Sequence, residues 1–283
     1  MNGKPLGGKP LRFTRRTFIA AATALAGGGL ADASAIEPYR LQVSRHDLPV
    51  RGLAPALDGL RVAQISDVHL PGTPAAAASV VEAIGRERPD IVVLTGDIVE
   101  HAATLPALES FAAAVHGRLG TFAVLGNWEH KARISAAAAR AVYERAQVVF
   151  LCNESATLEY GDARLRVVGF DDPVIGQPDP ARALAGSRAD TPDLWLIHAP
   201  AYIDTLPAGT GTPVMIAAGH THGGQIRLPG LTLFTPPGSG SYVSGWYPTR
   251  PGPMYVSRGV GTASVRMRFF CPPELPIFTL QAR

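Results

Sequence analysis

Apolar positions along the first half of the chain fall in short strand-length runs that alternate with helix-period stretches. Residues 36–55 look extended, and within them residues 39–43 alternate polar and apolar, the pattern of a half-buried strand. Residues 60–65 read as the next strand. Residues 74–87 carry Val80, Val81 and Ile84 at near-helical spacing and stop before Pro89, where a helix should end. Ile91-Val92-Val93-Leu94 is a continuous apolar run, expected of a strand covered on both faces. A second helix over 105–115 sets Leu105, Leu108, Phe111 and Val115 on one side. Residues 120–125 form a third buried strand, 133–145 an alanine-rich helix and 147–151 a fourth strand. The alternation predicts a layered α/β domain with its site on the loops at the strand ends.

The second half changes style. Runs at 156–160 and 165–170 flank Gly161-Asp162, a hairpin signal. Residues 194–197 run into His198, and 214–218 run into Gly219-His220-Thr221-His222-Gly223-Gly224. Further strands are expected at 254–256 and 277–280. The Pro- and Gly-rich stretch 229–253 reads as a long surface loop, a length often tied to function. Its Tyr242, Trp246 and Tyr247 either rim a pocket or pack the loop down. There is no internal repeat.

Composition changes the picture at the front. The chain has 283 residues, with 26 basic and 23 acidic side chains. Residues 1–35 hold Lys4, Lys9, Arg12, Arg15 and Arg16 against Asp32 alone, which leaves the rest at a formal net of −1. A near-neutral body offers no electrostatic case for nucleic acid. Thr14-Arg15-Arg16-Thr17-Phe18-Ile19 resembles the twin-arginine export motif, followed by a weakly apolar stretch over 18–30 and by Ala33-Ser34-Ala35, a small-residue cleavage pattern. That order predicts a signal peptide over 1–35 and a functional domain over 36–283, with the twin-arginine translocation machinery as a partner. The expected location is periplasmic or otherwise extracytoplasmic. The apolar part is too short to span comfortably as a permanent helix, and no later stretch reaches spanning length, so membrane contact is at most peripheral, through an uncleaved signal. Cys152 and Cys271 end or follow apolar runs and read as small buried hydrophobes, with a disulfide between them left open.

Chemistry gathers where the apolar runs stop. In extended backbone, His220 and His222 leave the same face, a plausible metal-binding edge, and Asp67 and His69 repeat that i, i+2 spacing. Asp97 follows Gly96, and a carboxylate there can bridge two cations. Gly126-Asn127-Trp128-Glu129-His130 ends the third buried strand. His46 and His116 have no partners in sequence and read as solvent-facing, and Asp171-Asp172-Pro173 reads as a turn after a strand.

The order of these five segments resembles the calcineurin-like metallophosphoesterase superfamily, whose pattern reads DxH, GDxx, GNH[DE], H and GHxH. The tail from Tyr255 to Glu274 is similar to a bacterial branch, often exported by the twin-arginine route and related to UDP-2,3-diacylglucosamine hydrolases. The resemblance implies a four-layer α/β/β/α sandwich of two mixed sheets flanked by helices. It implies two divalent metal ions (Mn, Fe or Zn) and phosphoester hydrolysis by a metal-bridged hydroxide. The substrate would be a phosphodiester, diphosphate or phosphomonoester, with a lipid-linked one among the options. Asp67, His69 and His222 would hold one metal, Asp97 would bridge, and Asn127, His198 and His220 would complete the second site. The chain departs from the pattern at Trp128, where the family carries a histidine tied to leaving-group protonation or charge stabilisation. His130 or His101 is a candidate replacement, either being otherwise an ordinary surface histidine, and Trp128 is a candidate stacking surface for substrate. The alternative is an envelope protein that binds metal but is catalytically impaired by that replacement.

Overall fold

A computed structural model describes residues 29–72 and 74–283; the twin-arginine motif lies outside them. Two six-stranded mixed sheets pack face to face. The first contains β1 (Gln42–Val50), β2 (Arg61–Ile65), β3 (Ile91–Thr95), β4 (Gly120–Val124) and β5 (Val149–Phe150). The second contains β6 (Glu154–Tyr160), β7 (Ala163–Gly169), β8 (Asp193–Leu196) and β9 (Met215–Ala218). After a small hairpin of β10 (Arg227–Leu228) and β11 (Leu231–Thr232), β12 (Gly245–Pro248) and β13 (Pro253–Val256) complete the second sheet, and β14 (Glu274–Ala282) returns to the first. The spatial orders are β1-β14-β2-β3-β4-β5 and β12-β13-β9-β8-β7-β6.

Period-two alternation decides which face each side chain serves. In β3, Ile91 and Val93 join Val62, Phe122, Leu165, Leu196 and Phe278 between the sheets. Val92 and Leu94 point the other way, under α1 (Pro74–Glu87), α2 (Leu105–Ala112) and α4 (Ala136–Arg145), where they meet Val80, Ile84, Leu108, Phe111 and Tyr143. A short α3 (Asn127–Lys131) follows β4. The outer face of the second sheet, with Trp195, Ile197 and Ile216, is covered more thinly. Its cover is α5 (Pro180–Ala183), a 3₁₀ turn at Pro200–Thr205 and the loop carrying Tyr242. The expected two-sheet sandwich with outer helices is present.

Several expectations change in detail. The first strand starts at Gln42, because Glu37–Tyr39 forms a 3₁₀ turn. The alanine-rich helix starts at Ala136: Arg133 has φ 57°, which a helix cannot contain, and the Ser135 hydroxyl caps by accepting from the Ala138 N–H at 3.2 Å. The stretch 229–253 is not a bare loop, since it holds β11 and β12. Its Trp246 and the distant His46 pack with Tyr255 and Phe278, at ring separations of 4.8 to 6.1 Å. His46 is therefore half-buried in an aromatic cluster and not solvent-facing. Tyr242 is buried and donates to Asp204 Oδ1 at 2.8 Å, so it packs the loop down. Both cysteines are free thiols; Cys271 is buried and Cys152 only half-buried. Among the described residues no helix is long and apolar enough to cross a membrane.

Phe278 is fully buried where the sheets meet. Phe278→Ala should cost about 3–5 kcal/mol of folding stability, read as a lower denaturant midpoint at unchanged slope.

Candidate metal centre

Five parallel strands end at one edge of the sandwich, and each delivers a donor there. β2 leads into Asp67 and His69, β3 into Asp97, β4 into Asn127, β8 into His198, and β9 into His220 and His222. The open edge beyond the carboxyl ends of such strands is where α/β sheets build sites. All seven residues are at most 5% exposed. The structure thus brings together every residue named from the five motifs.

They form two groups of mutually close donor atoms, Asp67 with His69 and His222, and Asp97 with His198 and His220. In the first, His69 Nε2 and His222 Nε2 stand 3.0 Å apart, and Asp67 Oδ1 is 3.5 Å from His222 Nε2. In the second, His198 Nε2 lies 3.2 Å from Asp97 Oδ2 and 3.1 Å from Asn127 Oδ1, which is 2.9 Å from His220 Nδ1. Asp97 Oδ2 also lies 3.9 Å from His69 Nε2, so one carboxylate oxygen faces both groups.

The i, i+2 reading of extended backbone does not hold. Asp67, His69, Asp97, His220 and His222 all have φ between 50° and 71°. Left-handed backbone turns successive side chains differently from a strand, and His220 and His222 serve different groups. Gly96, at φ 88°, makes this crowding feasible: a Cβ there would sit 2.6 Å from the Gly126 nitrogen and 2.7 Å from His198 Nδ1.

The surroundings orient each donor. His198 Nδ1 donates to the Thr95 carbonyl at 2.8 Å and His220 Nε2 to that of Pro237 at 2.8 Å, which turns His198 Nε2 and His220 Nδ1 inward toward Asp97 and Asn127. His69 Nδ1 lies 3.1 Å from Glu100 Oε1, so its Nε2 likewise faces inward. Asp97 Oδ1 accepts the Trp128 N–H at 2.7 Å, and this spares Oδ2. Burial, and then His198, holds His220 down to about 4, and burial with His69 beside it holds His222 well below its ordinary value, so both are neutral at pH 7. Burial opposes ionisation of Asp97, and the nearby His198 outweighs it, keeping that carboxyl below its usual range. Two buried imidazole nitrogens 3.0 Å apart, with the buried His222 Nδ1 unpartnered, form a poor apolar core and a good cation cage. The set of carboxylate, amide and imidazole donors fits first-row divalent metals.

Residues not singled out from sequence hold the cage. The Glu129 carboxylate accepts the N–H groups of Gly126, Asp97, Ile98 and Val99 at 2.6 to 3.1 Å, tying the β3 loop to α3. Its place in the GNWE segment was the available signal. Arg268 is fully buried and donates to the carbonyls of Arg258, Gly259, Gly261 and Cys271. That loop in turn donates from Gly261 N to Asp67 O at 2.6 Å, and the Cys271 thiol contacts His222 O at 3.2 Å.

The histidines proposed to replace the missing one lie elsewhere. His130 is half-buried with Nε2 2.8 Å from Asp171 Oδ1, and the hydrogen bond to Asp171 raises its pKa. It is not among the side chains lining the cleft above the donors. His101 is exposed. Asp171 and Asp172 do form a turn, with Asp172 Oδ2 accepting from Val174 and Ile175. Trp128 does line the cleft, edge-on to His69 at 5.6 Å, with Lys131 Nζ 4.4 Å from its ring centre. The cleft encloses about 470 Å³ and is mainly apolar, walled by Ile226, Leu233, Phe234 and Val265.

Comparison with known proteins agrees with this geometry. The calcineurin-like phosphoesterase model matches residues 60–224, which span all seven donors. The metallophosphoesterase YkuE of Bacillus subtilis is 30% identical over 290 residues, covering 96% of this chain and 99% of that one. The UDP-2,3-diacylglucosamine pyrophosphatase LpxG of Chlamydia trachomatis is 30% identical, covering 86% and 90%. The phosphodiesterase YaeI of Escherichia coli is 28% identical, covering 95% and 99%. The chain therefore belongs to the calcineurin-like phosphoesterase family, whose members are metal-dependent hydrolases of phosphate esters.

Proposed function

We propose that this chain is a dinuclear metallohydrolase of the cell envelope that cleaves a phosphodiester or diphosphate bearing an apolar group. The observation that carries the reading is the pair of donor groups sharing Asp97 Oδ2 at the floor of an apolar cleft. Asp67, His69 and His222 would hold one cation, Asn127, His198 and His220 the other, and Asp97 would serve both. Mn, Fe or Zn suits these ligands. Such a metal pair supplies charge neutralisation for the phosphate and acidifies a water near neutral pH. The chain's own residues do the rest. Trp128 offers a flat apolar wall to the substrate, Lys131 brings a positive charge to the cleft, and the wall of Leu233, Phe234 and Val265 accepts the apolar group. The similarity to a relative named for a diacylated sugar nucleotide supports a lipid-linked diphosphate over a small monoester.

With His130 engaged by Asp171, no imidazole among the described residues lines the cleft to protonate a leaving group other than the donors themselves. The reading therefore favours substrates whose leaving group departs unaided, such as diphosphates and aryl esters. Residues 1–35 act as the twin-arginine export signal of the domain over 36–283. Ala33 is buried, and its carbonyl accepts from the Arg268 N–H at 2.8 Å, which supports retention of the segment after export.

Asp97→Asn keeps the acceptor for the Trp128 N–H but removes the shared charge. It should lower hydrolysis of a chromogenic phosphodiester by at least about 10²-fold and reduce bound metal, measured by mass spectrometry, below two ions per chain. An unchanged rate would sink the mechanism. His130→Ala should lower kcat on an alkyl phosphodiester, whose leaving group needs a proton, by less than about tenfold; a loss in the range of about 10²–10⁴ would identify it as the general acid after all. For export, Arg15→Lys with Arg16→Lys should leave the protein in the cytoplasmic fraction, while periplasmic recovery equal to the parent would refute the assigned route.

A further inference from the structure

The mouth of the cleft exposes large apolar side chains in one connected region. The β10–β11 hairpin pairs Leu228 with Leu231, which are 45% and 52% exposed, and the segment after it exposes Leu233 at 57% and Phe234 at 69%. Across the opening, Val265 and Phe270 are about half exposed. The two segments are stitched together: Ile226 bridges to Phe269, and Gln225 Nε2 donates to the Val265 carbonyl at 2.8 Å. Exposure of this much contiguous apolar surface marks an interaction site.

Charge identifies the partner. Between Asp204 and Glu274 the chain holds no Asp or Glu, and of its five arginines Arg268 is buried and Arg258 pairs with Glu274, which leaves Arg227, Arg250 and Arg266. Arg227 and the exposed Arg266 lie within the apolar segments themselves. A second copy docking here by a two-fold axis would set arginine against arginine, since the two segments carry no carboxylate and Glu37 beside Phe270 is buried on the Phe270 and Cys271 N–H groups. An anionic lipid surface supplies both missing halves, a negative plane for the arginines and hydrocarbon for the leucines. The entry of the chain agrees: a Cβ at Gly29 would sit 3.8 Å from the Phe269 ring, so the residue to which the basic front of the chain is joined lies beside this region.

We propose that the β10–β11 hairpin, residues 233–234 and the loop around Val265 and Phe270 form a docking surface for an anionic phospholipid bilayer. Docking sinks Leu228, Leu231 and Phe234 into the headgroup boundary and opens the cleft directly to the membrane. Leu233, Phe234 and Val265 belong both to the exposed surface and to the cleft wall, so the two are continuous. Binding is read without any hydrolysis and stands or falls apart from the metal chemistry.

The test is co-sedimentation of the full chain with phosphatidylcholine vesicles, with and without phosphatidylglycerol. Leu228→Glu with Leu231→Glu, both outside the cleft wall, should weaken binding to the anionic vesicles at least about tenfold at an unchanged melting temperature. Pure phosphatidylcholine should bind about fivefold more weakly for each arginine that reaches the surface. Independently, emission of Phe234→Trp should shift to the blue on vesicle addition and be quenched by brominated acyl chains. Equal binding by the double variant, which would place the contact in the front of the chain, overturns the proposal. So does a wild-type dimer that those substitutions make monomeric while vesicles go unbound, or emission from position 234 that ignores the lipid.

Discussion

Left-handed backbone at five donor residues is the constraint on which the rest of the structure depends. Asp67, His69, Asp97, His220 and His222 all adopt it, at a cost of order 1–3 kcal/mol each. Against a total stability of about 5–15 kcal/mol for a domain, such strain persists only if neighbouring bonds over-determine each loop. They do. Asp67 N donates to Gly96 O, His69 N to Asp97 O, and Gly219 N to His198 O, so the ladders of the sheets continue into the loops. Glu129 then gathers four further N–H groups from two loops into one carboxylate. The donors are thus positioned by bonds within the chain itself, as a precise cation site requires.

The back of the site is braced by a buried cation that has no carboxylate within its hydrogen bonds. Arg268 spends its donors on carbonyls of residues 258, 259, 261 and 271. A planar fork with five donors can fix several loop carbonyls at once, where a lysine could not. The loop it fixes touches Asp67 through Gly261 and His222 through Cys271. The tail beyond the five motifs is thus part of the site's mechanical frame, although it contributes no donor to it.

Much of this was legible in the chain because local periodicity and burial agree. The helix over Pro74–Glu87 and the continuous run of β3 match their patterns closely, since each packs a face that the pattern itself defines. The motif residues were legible too, because apolar strands must end somewhere and the polar residues at those ends stand out. What failed was local geometry set by distant partners. The HxH and DxH segments look extended, but contacts between loops impose left-handed turns that no spacing reveals. The half-buried setting of His46 is set by Trp246, far along the chain, and β12 exists only because β13 is beside it. His130 carries no local mark of Asp171, which reaches it from another strand's loop.

The two sheets also divide the electrostatic work. Loops of the first sheet bring the carboxylates Asp67, Asp97, Glu100 and Glu129 to the site, while loops of the second bring His198, His220 and His222. From Thr205 to Pro273 the chain has no acidic residue at all to contribute to the cleft mouth. Negative charge is therefore concentrated on the buried side, among the candidate metal donors, and is absent from the 205–273 segment that walls the cleft mouth. An anion approaching across the carboxylate loops would meet repulsion before it met metal; across the arginine-bearing apolar wall it meets none. Trp128 stands at the junction of the two sides, edge-on to His69 and lining the cleft together with Leu233, Phe234 and Val265.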